Sequence, residues 1–178
     1  THEIVERPIA RLDSALAFTA IAMPNPHLVA FVEAIDEDAL IRIGAICEAA
    51  PDWLPKRANV SFVRVLGPDA IFVRTFERGV GLTDSCGSAM AASAFAAALT
   101  GRTDFARDVI VRNKGGLVMA RAEGDGMVAL NGNATWEWEG AVSVDLATGI
   151  AGDLIVARHF NAEIAAWAAV AEASAAAA

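Results

Sequence analysis

The segment Gly87–Leu99 reads GSAMAASAFAAAL, small or apolar nearly all the way round a helical wheel, and nothing else in the chain constrains the fold as tightly. A helix with no polar face has to be enclosed, because water on any side would meet apolar surface. The rest of the chain supplies the enclosure. Runs that alternate or concentrate β-branched and aromatic residues, bounded by Gly, Pro, Asn and Asp, predict strands over 16–22, 27–33, 60–66, 70–76, 108–112, 117–122, 127–130, 135–139 and 142–145. Gly- and Asn-rich joints at 113–116, 124–126 and 131–133 suit hairpins. Two further helices are expected. Asp36 caps one whose Leu40, Ile43 and Cys47 share a face and which stops before Pro51. Asn161 caps the other, which carries Ile164, Trp167 and Val170 on one side and fades into an Ala-rich tail over 161–178. The expected fold class is α+β: a curved, largely antiparallel sheet, a half-barrel, wrapped around a central apolar helix, in a single domain over 1–178.

Charge narrows the function. A formal net charge of −8 with no basic patch repels phosphate backbones and anionic bilayers, so neither nucleic acid nor a membrane surface is an expected partner. The longest apolar stretches are Ala-rich and interrupted, short of the roughly 20 strongly apolar residues of a membrane span. No signal-like start is present, and two cysteines far apart make no disulfide framework, which fits a reducing cytoplasm. Because it opens at Thr1 rather than Met, the chain is expected to be cut from something longer.

The informative segment runs Glu77-Arg78-Gly79-Val80-Gly81-Leu82-Thr83-Asp84-Ser85-Cys86-Gly87-Ser88 and leaves Cys86 at the start of the enclosed helix. There the helix dipole and unpaired N–H groups favour a thiolate, so Cys86 is expected to be more acidic than a free cysteine. A thiolate near neutral pH can take a proton from carbon, while the Gly87 and Ser88 amides hold a carboxylate as charge develops on it. The bland alternative is a small apolar residue packed under a loop, the commoner fate of a lone cysteine.

Other motifs agree in order and spacing. Pro24-Asn25-Pro26-His27-Leu28-Val29, Asn59-Val60-Ser61-Phe62 and Lys114-Gly115-Gly116, together with the Glu-Arg-Gly run before Cys86-Gly87-Ser88, resemble the signature of the diaminopimelate epimerases over about residues 20 to 140. The resemblance implies inversion at Cα with no cofactor, neither metal nor pyridoxal phosphate, in which one cysteine removes the proton and another returns it on the opposite face. It makes Cys86 one of the pair, with Glu77 taking the substrate ammonium. Arg78, Asn25 and Asn59 then grip the distal amino-acid end, Gly87 and Ser88 bind through their amides, and His27 and Glu77 tune or relay the cysteine's proton. The implied partners are diaminopimelate, an N-terminal half of the same enzyme and a second copy in a homodimer. The implied setting is lysine and peptidoglycan-precursor synthesis.

The departures matter equally. The family commonly has Gly where Pro24 stands and another Gly where Ala89 stands. Its first cysteine, in an Asn-Gly-x-Arg-Cys type run, has no counterpart, and Cys47 lies on an apolar helix face instead. The chain by itself is therefore expected to be inactive.

Rival chemistries are thin. His2, His27 and His159 have no metal-ligand spacing. Ser88, His27 and Asp84 lack the Gly-x-Ser-x-Gly elbow of a hydrolase, and Lys114 before two glycines reads as a turn rather than a Schiff base. No Walker or Rossmann glycine pattern occurs. Two alternatives stay open: a sister isomerase, proline-racemase-like or phenazine-biosynthesis-like, and a binding domain of the same fold with an inert Cys86. A low thiol pKa supports the poised thiolate, and a normal or raised one supports inert burial.

Overall fold

The computed structural model describes residues 4–178; Thr1 and His2 lie outside the described residues. Among the described residues, thirteen strands and three α-helices follow in chain order. The main sheet comprises β1 (Arg7–Pro8), β2 (Ala17–Met23), β3 (Asn25–Phe31), β4 (Asn59–Gly67), β5 (Ala70–Glu77), β6 (Gly81–Thr83), β7 (Asp108–Asn113), β8 (Gly116–Ala122) and β9 (Val128–Gly132). Helix α1 (Glu37–Glu48) joins β3 to β4, and α2 (Gly87–Leu99) lies between β6 and β7. The sheet order is β1-β2-β3-β4-β5-β7-β8-β9, with β6 paired to β5. Within it β3 runs parallel to β4 and β5 parallel to β7, while the remaining neighbours are antiparallel.

This topology puts the two helices on opposite faces for a simple reason. Both parallel connections travel the same way across the sheet, but β4 and β5 point in opposite directions, so two right-handed crossovers must fall on opposite sides. The core divides accordingly. Val29, Val63, Ile71 and Val73 pack with the buried alanines and Met90 of α2, whereas Leu28, Ala30, Val60 and Phe62 pack with Leu40, Ile43 and Cys47 of α1. Strands covered on both faces read as continuous apolar runs rather than alternating ones. Helix α2 touches strands β2 to β5 and β7 to β9, so the expected α+β architecture of a largely antiparallel sheet around an enclosed apolar helix is what the chain adopts. The sheet ends at β1 and β9 and does not close into a barrel.

After β9 the chain leaves this sheet. Strands β10 (Trp138–Ala141) and β13 (Ile155–His159) pair with each other, and β11 (Val144–Asp145) pairs with β12 (Ile150–Ala151), forming an arm with Leu146, Ile150 and Ile155 in solvent. Helix α3 (Asn161–Ala175) then returns to β7 and β8, where Ser174 Oγ donates to the buried Gly116 carbonyl at 2.6 Å. Among the described residues no helix is long and apolar enough to cross a membrane.

Several local expectations shift. Asp36 does cap α1, its Oδ1 accepting from the Ala39 N–H at 2.9 Å. Asn161 is not a cap: Phe160 holds that position with no side-chain hydrogen bond, and Asn161 is the first helical residue. The predicted strand over 27–33 starts earlier, at Asn25, because Pro26 is accommodated opposite Ala22 although a proline inside a strand argues against one. The predicted strands over 135–139 and 142–145 survive only as the short β10 and β11, since the arm has no core face to impose a register.

Candidate active site

Strand parity and register gather the candidate residues. Counting back in twos from Val29, which faces α2, puts His27 and Asn25 on that same face of β3; the same count from Val63 places Ser61 and Asn59 there on β4, and counting forward in twos from Val73 places Thr75 and Glu77 there on the antiparallel β5. His27 is registered directly opposite Asn59. Asn59 and Glu77 are the next positions beyond the Val60–Phe76 pair. All lie at the end of the sheet where α2 begins. Beneath them Ser61 Oγ and Thr75 Oγ1 pair at 2.9 Å in a buried layer.

Cys86 occupies the N-cap position of α2. It is delivered there by the β5–β6 turn, in which Gly79 and Gly81 take φ of +81° and +97°, values that side chains strongly disfavour. A one-way chain of hydrogen bonds then runs to the sulfur. Since an amide oxygen only accepts, His27 Nε2–H donates to Asn25 Oδ1 at 3.1 Å, and Asn25 Nδ2 donates to Ser88 Oγ at 3.4 Å. The Ser88 hydroxyl is left to donate to Cys86 Sγ, 3.6 Å away.

The electrostatics reverse the expected acidity of Cys86. Burial pushes its pKa above that of an ordinary thiol; the Ser88 hydroxyl and the Ala89 amide pull the other way, but the Glu77 carboxylate adds to the rise. The helix start is therefore outweighed by loss of water, and the resting group is a thiol. His27 is also perturbed, brought down to about 4 by burial and then by the positive charge of Arg78, so its ring is neutral at physiological pH. Its Nδ1 is buried without a partner, as is Asn59 Nδ2: an acceptor and a donor on adjacent registered residues.

The remaining candidates are placed as follows. Asn59 Oδ1 accepts from the Arg78 backbone N–H at 3.0 Å, and the Arg78 guanidinium donates to the Lys56 carbonyl at 2.8 Å. Gly87 is exposed, with no atom within 4 Å of where a Cβ would sit, so the start of α2 is open to a ligand. A concavity of about 620 Å³ among Phe31, Glu33, Asp36, Arg64 and Arg102 holds none of these residues. Cys47 lies fully buried under α1, its thiol pushed up to about 11 by burial. Among the described residues no group of three or more His, Cys, Asp and Glu is arranged to hold a metal ion.

Sequence reasoning missed the groups that hold the Cys86 loop. Arg74, almost completely buried, donates to Glu37 Oε1 at 2.7 Å, to the Thr83 carbonyl at 2.7 Å and to Asp84 Oδ1 at 3.2 Å. The Gly115 N–H donates to the Asp84 carbonyl at 2.8 Å, and Asn113 Nδ2 donates to Ser85 Oγ at 3.2 Å. The available signal was an arginine in the middle of the apolar run 70–76, where a buried charge demands a partner.

The family model described as diaminopimelate epimerase matches residues 19–137. The chain is 40% identical over 148 residues to the diaminopimelate epimerase of Clostridium acetobutylicum, covering 81% of this chain and 44% of that protein. It is 39% identical over 153 residues to that of Listeria innocua, covering 83% and 46%, and 45% identical over 145 residues to that of Lactiplantibacillus plantarum, covering 75% and 43%. It thus spans about half the length of the curated relatives it matches. A crystal structure of the Bacillus anthracis phenazine biosynthesis protein of the PhzF family aligns with a TM-score of 0.48 at 18% identity, over 71% of this chain and 43% of that one. The family model extends over the strands that carry Asn25, His27, Asn59 and Glu77 and over the start of α2, and on that match the chain belongs to the diaminopimelate epimerase family.

Proposed function

We propose that this chain is the Cys86-bearing half of a diaminopimelate epimerase, and that the intact enzyme interconverts LL- and meso-diaminopimelate by proton exchange at Cα. The observation that carries the reading is the one-way hydrogen-bond chain from His27 through Asn25 and Ser88 to Cys86 at the open start of α2, with the Glu77 carboxylate on the same sheet face. In one direction a cysteine thiolate on the N-terminal half removes the Cα proton, and the C–H electron pair passes into the substrate carboxylate. The Cys86 thiol delivers its proton to the opposite face and is left as thiolate; the reverse reaction exchanges the two roles. A thiol held protonated by burial suits the donor step, and the Gly87 and Ser88 amides at the helix start stabilise the charge that builds on the carboxylate.

Glu77 takes the substrate ammonium and exchanges a proton with Cys86. Arg78, Asn25 and Asn59 hold the distal amino-acid end. The reading requires no cofactor; its partners are the substrate, the N-terminal half with the second cysteine, and a second copy of the chain, in the cytoplasm. In the intact protein Cys86→Ala is expected to abolish interconversion, and Cys86→Ser to impair it severely because a hydroxyl is a far weaker acid. The decisive measurement is deuterium exchange at Cα of diaminopimelate in heavy water: exchange by the intact protein and none by this chain alone is expected, and near-normal turnover of Cys86→Ala overturns the assignment.

One observation favours a second reading. The raised thiol pKa and the burial of Cys86 also suit a binding domain of the same fold in which the sulfur is inert. Substrate binding with no Cα exchange in the intact protein selects that reading.

A further inference from the structure

The three residues that precede Cys86 are tied to β5, to the β7–β8 turn and to β7. The Thr83 carbonyl and the Asp84 carboxylate accept from Arg74 on β5, the Asp84 carbonyl accepts from Gly115 in the β7–β8 turn, and Ser85 Oγ accepts from Asn113 on β7. Arg74 is the hub of this arrangement. Glu37, at the start of α1, accepts from Arg74 and also from Lys114 at 2.7 Å, so one carboxylate ties the arginine to the turn that carries Gly115. The turn has little room to move: a Cβ on Gly115 would stand 3.1 Å from both the Asp84 carbonyl oxygen and Ser85 Cβ.

A guanidinium 7% exposed is costly to bury, and here its partners lie on two separate segments, the start of α1 and residues 83–84 at the end of β6. A lysine offers a point charge rather than a fork, and it could not serve Glu37 in one direction and Thr83 with Asp84 in another. Neither Arg74 nor its partners approach the thiol as hydrogen-bonding groups. Their effect on the sulfur passes through the backbone of residues 83 to 85.

We infer that Arg74 is a positioning residue: through Thr83 and Asp84 it fixes the loop that sets Cys86 at the start of α2 and keeps water from the sulfur. The inference rests on the epimerase reading for its catalytic consequence, but not for its structural one. Releasing the clamp lets the loop open, water reaches the thiol, and the penalty of burial on the thiolate is relieved.

The test is alkylation of this chain with iodoacetamide, read residue by residue by mass spectrometry, in Arg74→Met, Arg74→Lys and the milder Asp84→Asn. Cys86 is expected to react about threefold or more faster at fixed near-neutral pH in Arg74→Met, its pH midpoint moving down towards that of an ordinary thiol, with a smaller change in Asp84→Asn. Cys47, in the separate core under α1, keeps its protection. Parallel acceleration of both cysteines means general unfolding and overturns the inference, as does unchanged Cys86 reactivity in a folded variant. The sign is diagnostic too, since simple loss of a neighbouring positive charge would move the midpoint up. In the intact epimerase Arg74→Met is expected to lower kcat by about tenfold or more with KM little changed. Unchanged kcat in folded protein overturns the positioning role. The alkylation arm uses no substrate, so failure of the epimerase reading leaves its outcome separately readable.

Discussion

His27 Nε2 lies 3.1 Å from Asn25 Oδ1, two residues back on the same face of β3, and this one bond fixes the ring tautomer and leaves Nδ1 bare inside the protein. The residue is 1% exposed and Nδ1 itself is buried, so that lone pair meets no bulk water. Neutrality is the only charge state the site accommodates near physiological pH, since protonation would bury a cation beside Arg78.

Stability should accordingly depend on pH through His27. The folded pKa, about 4, lies below the ordinary 6.5, so the unfolded chain takes up a proton that the folded chain refuses. The contribution is complete above about 6.5 and is lost as pH falls towards about 4, roughly 3 kcal/mol in all. Urea midpoints measured through this window should fall more steeply for the natural chain than for His27→Gln. Equal slopes would contradict the buried neutral ring.

The Cys86 thiol should titrate above an ordinary cysteine, and its neighbours should move it in opposite senses. Ser88→Ala removes a donor to sulfur and raises the midpoint of iodoacetamide reactivity further; Glu77→Gln removes a negative neighbour and lowers it. Cys47 should lag far behind at every pH. A Cys86 midpoint below that of an unhindered thiol would refute this ordering.

Two glycines should respond differently to alanine. A Cβ at Gly44 would lie 2.7 Å from Phe76 Cβ and closer still to its ring, so Gly44→Ala should cost roughly 3 kcal/mol by overpacking α1 against β5. Gly87→Ala meets nothing and should leave stability unchanged or raised by up to about 1 kcal/mol. Thermal melts of the two variants decide the matter.

Helix caps offer a cheaper comparison. Asp36→Ala removes the acceptor of the Ala39 N–H and should cost about 1 kcal/mol, while Asn161→Ala should cost little because Asn161 caps nothing. Equal losses in urea denaturation would mean that Asn161 does act as a cap.

Much of the site could be read from local pattern. The Glu77–Ser88 segment, the Asn25–His27 run and Asn59 were visible as residue types in sequence, and period-two counting places them on one sheet face once strands are assumed. The acidity of Cys86 could not be read this way. A helix start argues for a thiolate, but the sign is decided by how much water the fold removes, and burial is a property of neighbours distant in sequence.

The chain by itself determined that Gly87–Leu99 must be enclosed and that short strands must enclose it, because an apolar helix surface and period-two patterns are local facts about side-chain order. Only the tertiary structure decided that Arg74, Glu37, Lys114, Gly115 and Asn113 converge on the three residues before Cys86. The reason is physical. Those bonds join segments far apart in the chain, and what brings them together is strand register and crossover, which are set by how the whole core packs rather than by any local preference.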